Sequence, residues 1–598
     1  MINIIPVPKK LIKKEGSFSL ENVSVFTSDK ADRRVVRALT ELCGEISERT
    51  GAVCPLYSAE PRGKAIKVTH GDGGSEAYRL TVSEDSIAIT SDGAAGAFYG
   101  IQSLRQLIKA GDVPCLEIED EPDFPYRGFY HDITRGRVNR LEKLKKIADT
   151  LSYFKINSLQ LYIEDAFLFR EFEGILTEDE AMTAEETAEF EEYCHDRFIE
   201  LVPSLSTFGH LFTLLQSDRY NYISELGAHE MTMNYWMEKQ WHHTVDVYHP
   251  DTIKVIGSML EQYIPLFRSK YFNICCDETM DLCSGKNAGK DKGEAYFHHL
   301  TKLIDIVKSH GKRVMMWGDE CMARPEAAKE KLPKDTIVLN WCYRKDVNEW
   351  IPKFYSDLGF SQIVCPGCSS WDNFIENVDV STGNISSFAA HAKKYGALGM
   401  LNTNWGDFGH VCNFNCNLYG MALGAEKCWN ESAPTDEEFD GAVNSLVYGT
   451  PDFDTVSTVR ALAKASETCN WSRFVMWHSD NCLNRKNTVL SYGEGLGADD
   501  AKRNIDACLT ELSKLRSHGG SSEILDDIAL AAEALALMNR EVLYANGVEG
   551  YGDGAALQAD FDEWLERYSA AWLRGDKPSG LPRLAKFIKH ITEIPIKA

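Results

Sequence analysis

Eight residues decide the fold, and they read Tyr271-Phe272-Asn273-Ile274-Cys275-Cys276-Asp277-Glu278. The run lacks the polar alternation of a solvent-facing strand, which is typical of a strand in a parallel sheet that is covered on both faces. Acids at the carboxyl end of such a strand lie where the active site of an α/β barrel is normally built. Alternatively, Asp277 caps a helix and Glu278 belongs to its first turn. These two residues alone leave both interpretations open.

The chain around this stretch repeats one pattern from Tyr126 to about residue 425, in which apolar strands alternate with amphipathic helices. That alternation predicts βα units and a parallel sheet. Eight repeats predict an α/β fold, a catalytic (β/α)8 TIM barrel, with one long insertion between its third and fourth strands. A doubly wound open sheet is the alternative, but no glycine-rich phosphate loop follows any strand. The predicted strands are Phe129–Thr134, Ser158–Asp165, Glu200–Thr207, Tyr271–Asp277, Arg313–Trp317, Ile337–Tyr343, Gln362–Cys368 and Leu398–Trp405.

Two further domains are predicted on either side of the barrel. Residues 1–124 combine alternating strands with a helix at Ala94–Ile108 and have no catalytic cluster, so we predict an N-terminal α/β supporting domain. The barrel then spans residues 125–428, after a linker with two prolines. Residues 429–598 show apolar stripes at helical spacing and predict a C-terminal helical domain. Its apolar faces would dock on the barrel or on a second subunit, so a homodimer is one alternative.

The composition limits the partners of the chain. Hydrophobic residues make up 44% and charged residues 26% of the 598 residues, which is ordinary for a globular protein. The formal net charge of -25 would repel nucleic acid and anionic membrane surfaces, so we expect neither as a partner. No apolar run approaches the roughly eighteen residues that a membrane helix needs.

The location is predicted to be cytoplasmic. The first twenty residues carry Pro6 and Pro8 inside the only apolar stretch, so we do not expect a secretory signal. The 17 cysteines are scattered and odd in number, which fits reduced thiols better than a disulfide framework. Cys365 and Cys368 lie in a predicted strand rather than at a helix N-terminus, so we interpret them as apolar filler and expect no metal site there.

Acids and aromatic residues gather at the predicted carboxyl ends of the strands. Sugars present flat C–H faces to aromatic rings and hydroxyls to carboxylates and arginine, so this set is typical of a carbohydrate site. Each tryptophan taken singly is more readily a core residue, but four at equivalent strand positions favour a binding wall. The set comprises Asp132, Arg135, Asp165, His210, Asp277, Glu278, Trp317, Asp319, Glu320, Trp341, Tyr343, Trp371, Asp372, Trp405 and Asp407.

Two other functions stay open at this point. The same acids would hold a divalent cation in a metal-dependent barrel lyase of the enolase type. A lyase reaction of this type requires a lysine or histidine base opposite the metal. The predicted strand ends include His210 but no lysine. A non-catalytic sugar-binding protein is the other alternative, although it has no need of an adjacent acid pair.

The adjacency of Asp277 and Glu278 narrows the mechanism. Ordinary retaining glycosidases place two carboxylates about 5–5.5 Å apart, usually on different strands, whereas neighbours on one strand point to opposite faces. A consistent alternative is that the 2-acetamido oxygen of the substrate attacks the anomeric carbon. Asp277 then holds the acetamido N–H, and Glu278 protonates the leaving oxygen. Such an acid needs a raised pKa, which we expect for Glu278 between Asp277 and aromatic walls.

These residues resemble glycoside hydrolase family 20, the β-N-acetylhexosaminidases. The segment Arg127–Arg135 is similar to the family's first barrel strand, whose closing arginine grips the 3- and 4-hydroxyls of the terminal sugar. The resemblance implies that role for Arg135 and places Asp165 at the end of the second strand. It also implies that His210 couples to the acid/base, and that Asp277 and Glu278 are the catalytic pair.

The resemblance covers residues from about 65 to 410. Trp317, Trp341 and Trp405 fall where family members wall the acetamido pocket and stack on the sugar, and the N-terminal domain is implied to be zincin-like. The implied activity is that of a retaining exo-β-N-acetylhexosaminidase. It would need no cofactor or metal, and it would act on terminal non-reducing β-linked GlcNAc or GalNAc of glycans or glycoconjugates.

The chain departs from the usual family pattern at several positions. Cys275 and Cys276 stand where glycines are usual, and Ser204 stands where an acid usually follows the proline of the third strand. These features are more similar to the hexosaminidase D-like branch, which is intracellular and inclined towards galactosamine substrates. Asp407 stands where many members have glutamate. The tyrosine that commonly holds the acetamido oxygen has no clean match, so Tyr343 or the indole N–H of Trp371 is expected to replace it.

Overall fold

The structure is a computed structural model. It describes residues 2–28, 30–109, 111–228, 230–231, 234–241, 243–435, 437–478, 498–518, 522–589 and 591–593. Within these ranges the strands form two sheets, one of seven strands and one of eight.

The first sheet belongs to the N-terminal part of the chain. It shares one hydrophobic core with two helices, Arg33–Thr50 and Ala94–Ile108, and the second of these confirms the predicted helix. Its strands are β1 Lys10–Phe18, β2 Ser24–Thr27, β3 Leu56–Tyr57, β4 Ala65–Gly73, β5 Tyr78–Val82, β6 Ser86–Gly93 and β7 Val113–Asp120. Their order in the sheet is β1-β7-β5-β6-β4-β2-β3. An α/β supporting layer is therefore present, while the three domain boundaries stay a prediction.

The second sheet is a parallel barrel. Its strands are β8 Tyr126–Asp132, β9 Ser158–Tyr162, β10 Glu200–Pro203, β11 Tyr271–Asn273, β12 Arg313–Trp317, β13 Ile337–Trp341, β14 Ser361–Cys365 and β15 Gly399–Asn404. Their order is β10-β9-β8-β15-β14-β13-β12-β11. A parallel bridge between Ser204 and Asn273 brings the two outer strands together, and the Leu205 N–H donates to the Asn273 oxygen at 3.0 Å. The predicted (β/α)8 barrel is confirmed, and the open-sheet alternative is wrong.

Helices cover the outside of the barrel, and a separate aromatic core fills its interior. The interior cluster includes Tyr130, Tyr162, Trp317 and Trp405, which is why the upper end of the barrel presents aromatic walls. The longer covering helices are Leu141–Tyr153, Ala184–His195, Thr252–Tyr263, Lys292–Ser309, Trp350–Asp357, Val378–Lys394 and Leu418–Trp429. The predicted insertion between β10 and β11 carries the short helices Phe212–Leu215 and Tyr235–Trp241.

The C-terminal part is helical, as predicted. Its helices are Glu437–Leu446, Thr455–Ser466, Trp471–His478, Ala498–Ser517, Glu523–Ala545, Gly554–Gly575 and Leu581–Lys589. Asp576 joins this part to the barrel, because its carboxylate accepts hydrogen bonds from Arg137 at 2.8 Å, Lys143 at 2.9 Å and Asn139 at 2.6 Å. Among the described helices, none combines the length and the apolar character needed to span a membrane.

Candidate active site

The acid pair lies beyond the end of its strand. β11 stops at Asn273, whereas the sequence predicted a strand as far as Asp277. The backbone then turns through left-handed conformations at Cys275, Cys276 and Glu278, with φ of 58°, 65° and 45°. Residues other than glycine rarely adopt such φ values. As a result, Asp277 and Glu278 line the same cavity, and the prediction that they point to opposite faces is wrong.

Four hydrogen bonds hold this turn, three of them from other parts of the chain. The Cys275 N–H donates to the Asn273 side chain at 2.9 Å, and the Cys275 oxygen accepts the Trp317 N–H at 3.1 Å. The Tyr296 hydroxyl donates to the Cys276 oxygen at 2.8 Å, and the Thr207 hydroxyl donates to the Ile274 oxygen at 2.7 Å. Backbone strain of this kind persists only where its surroundings enforce it, and it is typical of functional sites.

One imidazole nitrogen joins the two acids. Nε2 of His210 lies 3.4 Å from Oε2 of Glu278 and 3.7 Å from Oδ2 of Asp277. These are ion-pair distances rather than directed hydrogen bonds, and neither ring nitrogen of this buried histidine has a hydrogen-bond partner among the described residues. His210 itself has a φ of 57°. His210 therefore lies beside both acids, as predicted, and its ring nitrogens remain able to form hydrogen bonds with a ligand.

The pKa values within this trio are shifted in different directions. Burial raises the pKa of Asp277, and the charge of Glu278 adds to this effect. Burial alone would lower the pKa of His210, but the two carboxylates raise it above its ordinary value. Burial would raise the pKa of Glu278, yet the contacts with His210 and the charge of Arg135 hold it below its ordinary value. The expected raised pKa of Glu278 is therefore wrong for the ligand-free protein, because the imidazolium is paired with it.

A third carboxylate positions the backbone of Glu278. Oδ2 of Asp319 accepts the Glu278 N–H at 3.0 Å, while Oδ1 of Asp319 is buried without a partner among the described residues. Burial, followed by the charge of Asp277, raises the pKa of Asp319 to about 7. The sequence predicted Asp319 at a strand end, and in the structure its carboxylate holds the backbone of Glu278 in place.

An ion pair lies in the wall of the cavity. Nη1 of Arg135 donates to Oδ1 of Asp407 at 2.7 Å, and Nε of Arg135 lies 3.5 Å from the buried Glu164. Asp132 sets this geometry, since one of its oxygens accepts the Arg135 N–H at 3.0 Å and the other accepts the Gly406 N–H at 3.0 Å. Arg135 and Asp407 therefore stand together, as the strand-end pattern predicted.

The predicted tryptophans form one continuous wall. Trp317 packs against Trp405 with ring centroids 5.7 Å apart, and Trp405 donates its indole N–H to the Tyr343 hydroxyl at 2.8 Å. Tyr343 in turn stacks with Trp341 at 5.5 Å and contacts Trp371 at 5.1 Å. All five side chains line the cavity that holds the acid pair. The buried Trp317 keeps an indole N–H without a partner among the described residues, so it has a hydrogen bond to give.

Asp165 does not line the cavity that holds the acid pair. It lines a neighbouring cavity of about 540 Å³, to which Arg135 also contributes. There it pairs with Lys239 at 3.1 Å and accepts a hydrogen bond from Thr213. The adjacent Glu164 faces Arg135 instead, since the chain has already left β9 at Tyr162. Of these two neighbouring acids, Glu164 is the one that lies against Arg135, and the role predicted for Asp165 stays a prediction.

The cavity itself measures about 250 Å³, which suits a single sugar ring rather than a longer chain. Sequence reasoning missed three of its lining residues, Gln240, Trp241 and Met280. Gln240 and Trp241 come from the insertion between β10 and β11, and only the aromatic character of Trp241 signals them in the sequence.

A cation would also find ligands here. One ligand atom from each of His210, Asp277 and Glu278 lies within 4.8 Å of the others, and this trio is the set of possible metal ligands among the described residues. The base that a metal-dependent lyase needs is not at hand, however. The nearby Lys239 is held by Asp165 and lies 3.5 Å from Glu164.

Fold and site together define a carbohydrate-active (β/α)8-barrel protein, with an acid pair at the mouth of an aromatic cavity. The model described as glycosyl hydrolase family 20, catalytic domain, matches residues 124–443, and the one described as glycosyl hydrolase family 20, domain 2, matches residues 1–121. Because the catalytic-domain match alone spans more than half of the sequence, the chain belongs to glycosyl hydrolase family 20.

Similar proteins carry related names. A β-hexosaminidase of Porphyromonas gingivalis is 26% identical over 388 residues, which cover 57% of this chain and 47% of that relative. A β-N-acetylhexosaminidase of Cellulomonas fimi is 23% identical over 497 residues, covering 76% of this chain and 95% of that one. The X-ray structure of Flavobacterium johnsoniae chitobiase shares the fold, with a TM-score of 0.64 and 18% identity over 94% of this chain and 96% of that one. This chain thus spans about half of the first relative and nearly all of the other two.

Proposed function

We propose that this protein is a retaining exo-β-N-acetylhexosaminidase that removes terminal non-reducing β-linked GlcNAc or GalNAc. One observation carries the proposal: two adjacent carboxylates converge on the His210 imidazole at the mouth of an aromatic cavity. Relatives named as hexosaminidases support the same activity.

The small cavity favours exo action. Arg135 and Asp407 pair in its wall, so a bound sugar meets charged groups there. These two side chains offer N–H donors and carboxylate acceptors to the hydroxyls at the non-reducing end of the ring. A volume of about 250 Å³ leaves room for one ring.

Substrate-assisted chemistry fits the position of the acids. Carboxylates that share one imidazole nitrogen lie on the same wall, whereas a nucleophile and an acid must flank the bond from opposite faces. The acetamido oxygen therefore attacks the anomeric carbon, the bond to the leaving oxygen breaks, and the Glu278 proton moves to that oxygen. Asp277 accepts the acetamido N–H. Water then attacks the anomeric carbon as its bond to the acetamido oxygen breaks, and the water gives a proton back to Glu278. The two inversions leave the β configuration retained.

The proton for the first step is stored in the trio. His210 has a raised pKa and Glu278 a lowered one, which favours the proton on the imidazole over the proton on the carboxylate. Moving it by about 3.4 Å to Glu278 gives the acid form without changing the charge of the site. Binding of an acetamido group to Asp277 weakens the hold of Asp277 on the imidazolium, which favours that transfer.

Tyr343 is the better of the two residues expected to hold the acetamido oxygen. Its hydroxyl accepts the Trp405 indole N–H at 2.8 Å, which leaves the phenol hydrogen to donate into the cavity. The aromatic contacts of Tyr343 with Trp341 and Trp371 fix its ring.

A panel of four aryl glycosides tests the activity: β-GlcNAc, β-GalNAc, and glucose and galactose without the acetamido group. We expect cleavage of the acetamido sugars alone and inhibition by a thiazoline that mimics the cyclic intermediate. Cleavage of plain glucosides would refute substrate assistance, and loss of activity with a chelator would favour the metal-dependent alternative. A cytoplasmic location and a homodimer remain proposals, which fractionation and sedimentation measure.

A further inference from the structure

The loop that presents Asp407 to the cavity has an unusual backbone. Phe408, directly after Asp407, has a φ of 55°, and His410 has a φ of 51°. Residues other than glycine rarely adopt such values, and they persist only where the surrounding structure enforces them. The contacts that enforce this backbone therefore also set the position of the Asp407 carboxylate.

Two of these contacts come from the C-terminal helices. The indole N–H of the fully buried Trp471 donates to the Phe408 oxygen at 2.8 Å. The Tyr568 hydroxyl donates to the Val411 oxygen at 2.7 Å. Of the two donors, the Trp471 indole is the one that binds the residue next to Asp407.

The helix Trp471–His478 also holds the neighbouring loop of the cavity. The Ser472 N–H donates to the backbone oxygen of Asp372 at 3.2 Å, and the Ser472 hydroxyl donates to the Asp372 carboxylate. Asp372 directly follows Trp371, which lines the cavity. Two consecutive residues of one helix therefore connect the loops that follow β14 and β15.

These two loops bring like charges near each other. Burial, followed by the charge of Asp407, raises the pKa of Asp372 to about 6. Two ionised carboxylates repel each other, so the loops tend to move apart at neutral pH. A helix bound to both loops opposes this repulsion and keeps Asp407 beside Arg135, its partner at 2.7 Å.

We propose that Trp471 and Ser472 are positioning residues of the sugar site, through which the C-terminal helices set how tightly the non-reducing end of the sugar is held. The inference deepens the proposed function and rests on it. Both residues act through the loops, since the cavity is lined by Trp371 and Asp407 rather than by the helix itself. Asp407 offers the same acceptor to a hydroxyl before and during the reaction, so poorer positioning should raise KM more than it lowers kcat.

Trp471→Phe tests this role, because it keeps an aromatic ring but removes the indole N–H. On an aryl β-GlcNAc glycoside we expect KM to rise roughly five-fold, as the loss of one hydrogen bond predicts, with kcat within two-fold. In the Asp407→Ala background the same change should lower kcat/KM less than two-fold, because the residue that it positions is gone. Ser472→Ala is a milder second variant, for which a two- to three-fold rise in KM is expected.

Trp564→Phe is the matched control. Trp564 is also buried in the C-terminal helices and also contacts Phe374, but its indole N–H donates at 2.9 Å to the oxygen of Leu530, which belongs to another C-terminal helix. The two tryptophan variants lose the same kind of hydrogen bond, so we expect similar falls in the thermal unfolding midpoint. Only Trp471→Phe should change KM, and Trp564→Phe should leave it within two-fold.

The outcomes separate positioning from stability. An equal rise in KM in Trp564→Phe, or a fall in kcat/KM that persists in the Asp407→Ala background, would overturn the positioning role while the wild-type activity still stands. An unchanged KM in both Trp471→Phe and Ser472→Ala would overturn it as well. A wild-type protein that is inactive on both aryl β-GlcNAc and aryl β-GalNAc would instead overturn the proposed function itself.

Discussion

Two acidic clusters in this molecule contain the same kinds of residue but differ in what they do: one stabilises the fold, and the other serves the proposed reaction. The junction cluster, Asp576 with Arg137, Lys143 and Asn139, joins the C-terminal helices to the barrel. Its carboxylate is fully buried and accepts three side-chain hydrogen bonds of 2.6 to 2.9 Å. The catalytic trio, His210 with Asp277 and Glu278, is held by contacts of 3.4 and 3.7 Å only.

The pKa shifts record that difference. Burial would raise the pKa of Asp576, but Lys143 and Arg137 outweigh it and leave the pKa below its ordinary value. Burial raises the pKa of Asp277, and the His210 charge does not outweigh it. A satisfied buried acid stabilises the fold, whereas an unsatisfied one costs stability and keeps its hydrogen-bonding capacity for a ligand. Partner geometry, and not burial, separates the structural cluster from the functional one.

The largest effect is expected at Glu278. Glu278→Gln keeps the shape of the side chain but has no proton to give, so kcat on a glycan substrate should fall by about 10²–10⁴-fold. The fall should shrink for aryl glycosides whose leaving phenol needs no protonation. Steady-state kinetics on both substrate types measures this contrast. A variant with full turnover on the glycan would show that Glu278 is not the acid.

Asp277→Asn should separate activity from stability. We expect a loss of about 10² or more in kcat, because an amide holds the acetamido N–H less strongly than a carboxylate. The folded pKa of Asp277 is raised, so its ionised form costs stability at neutral pH, and the neutral amide removes that cost. The unfolding midpoint should therefore stay the same or rise. A clear fall in the unfolding midpoint would show that Asp277 stabilises the fold, as Asp576 is expected to do.

Asp576→Ala should show the opposite pattern. Removing it leaves two buried cations without their anion, which is expected to lower the free energy of unfolding by about 3–5 kcal/mol. Because the folded pKa of Asp576 is lowered, its contribution is present at neutral pH and is lost only as the pH falls below the ordinary value of 3.8. Asp560→Ala is the control, since Asp560 pairs with Arg540 at 2.7 Å in an exposed contact worth about 1 kcal/mol or less. Denaturant unfolding measures both, and equal losses would contradict the comparison.

The smallest expected effect is a shift in the pH profile of kcat/KM in the variant His210→Ala. The raised pKa of His210 sets the alkaline limb of kcat/KM, because the shared proton is lost above it. In His210→Ala, Glu278 must hold the proton alone, so the limb should move towards acid. An unmoved limb would show that the stored proton is not on the imidazole. Thermal unfolding of this variant is the accompanying control.

Local sequence patterns predicted the barrel and most of the residues of the sugar site. Apolar runs of strand length alternating with helices predict parallel βα units, and the closure of a barrel then brings the strand ends together. That geometry explains why Arg135, Trp317, Trp405 and Asp407, far apart in the chain, were predicted together and line one cavity. The acid pair was visible for the same reason.

The tertiary structure decided the features that depend on distant contacts. The left-handed turn at Cys275 and Cys276 is enforced by Trp317, Tyr296 and Thr207, which no local pattern reveals. The same turn points both acids into one cavity, and the pairing with His210 reverses the expected pKa shift of Glu278.

The insertion between β10 and β11 shows most clearly what local sequence patterns do not predict. Apart from His210, its sequence predicts no site residue, because the position of a loop follows from the surfaces on which it packs rather than from its own periodicity. Only the folded chain places Gln240 and Trp241 at the cavity and Asp165 in the neighbouring one. The sequence determined by itself that a sugar site exists, since strand periodicity is local. The folded structure decided which atoms face the sugar, since side-chain direction and charge pairing are set by residues far apart in the chain.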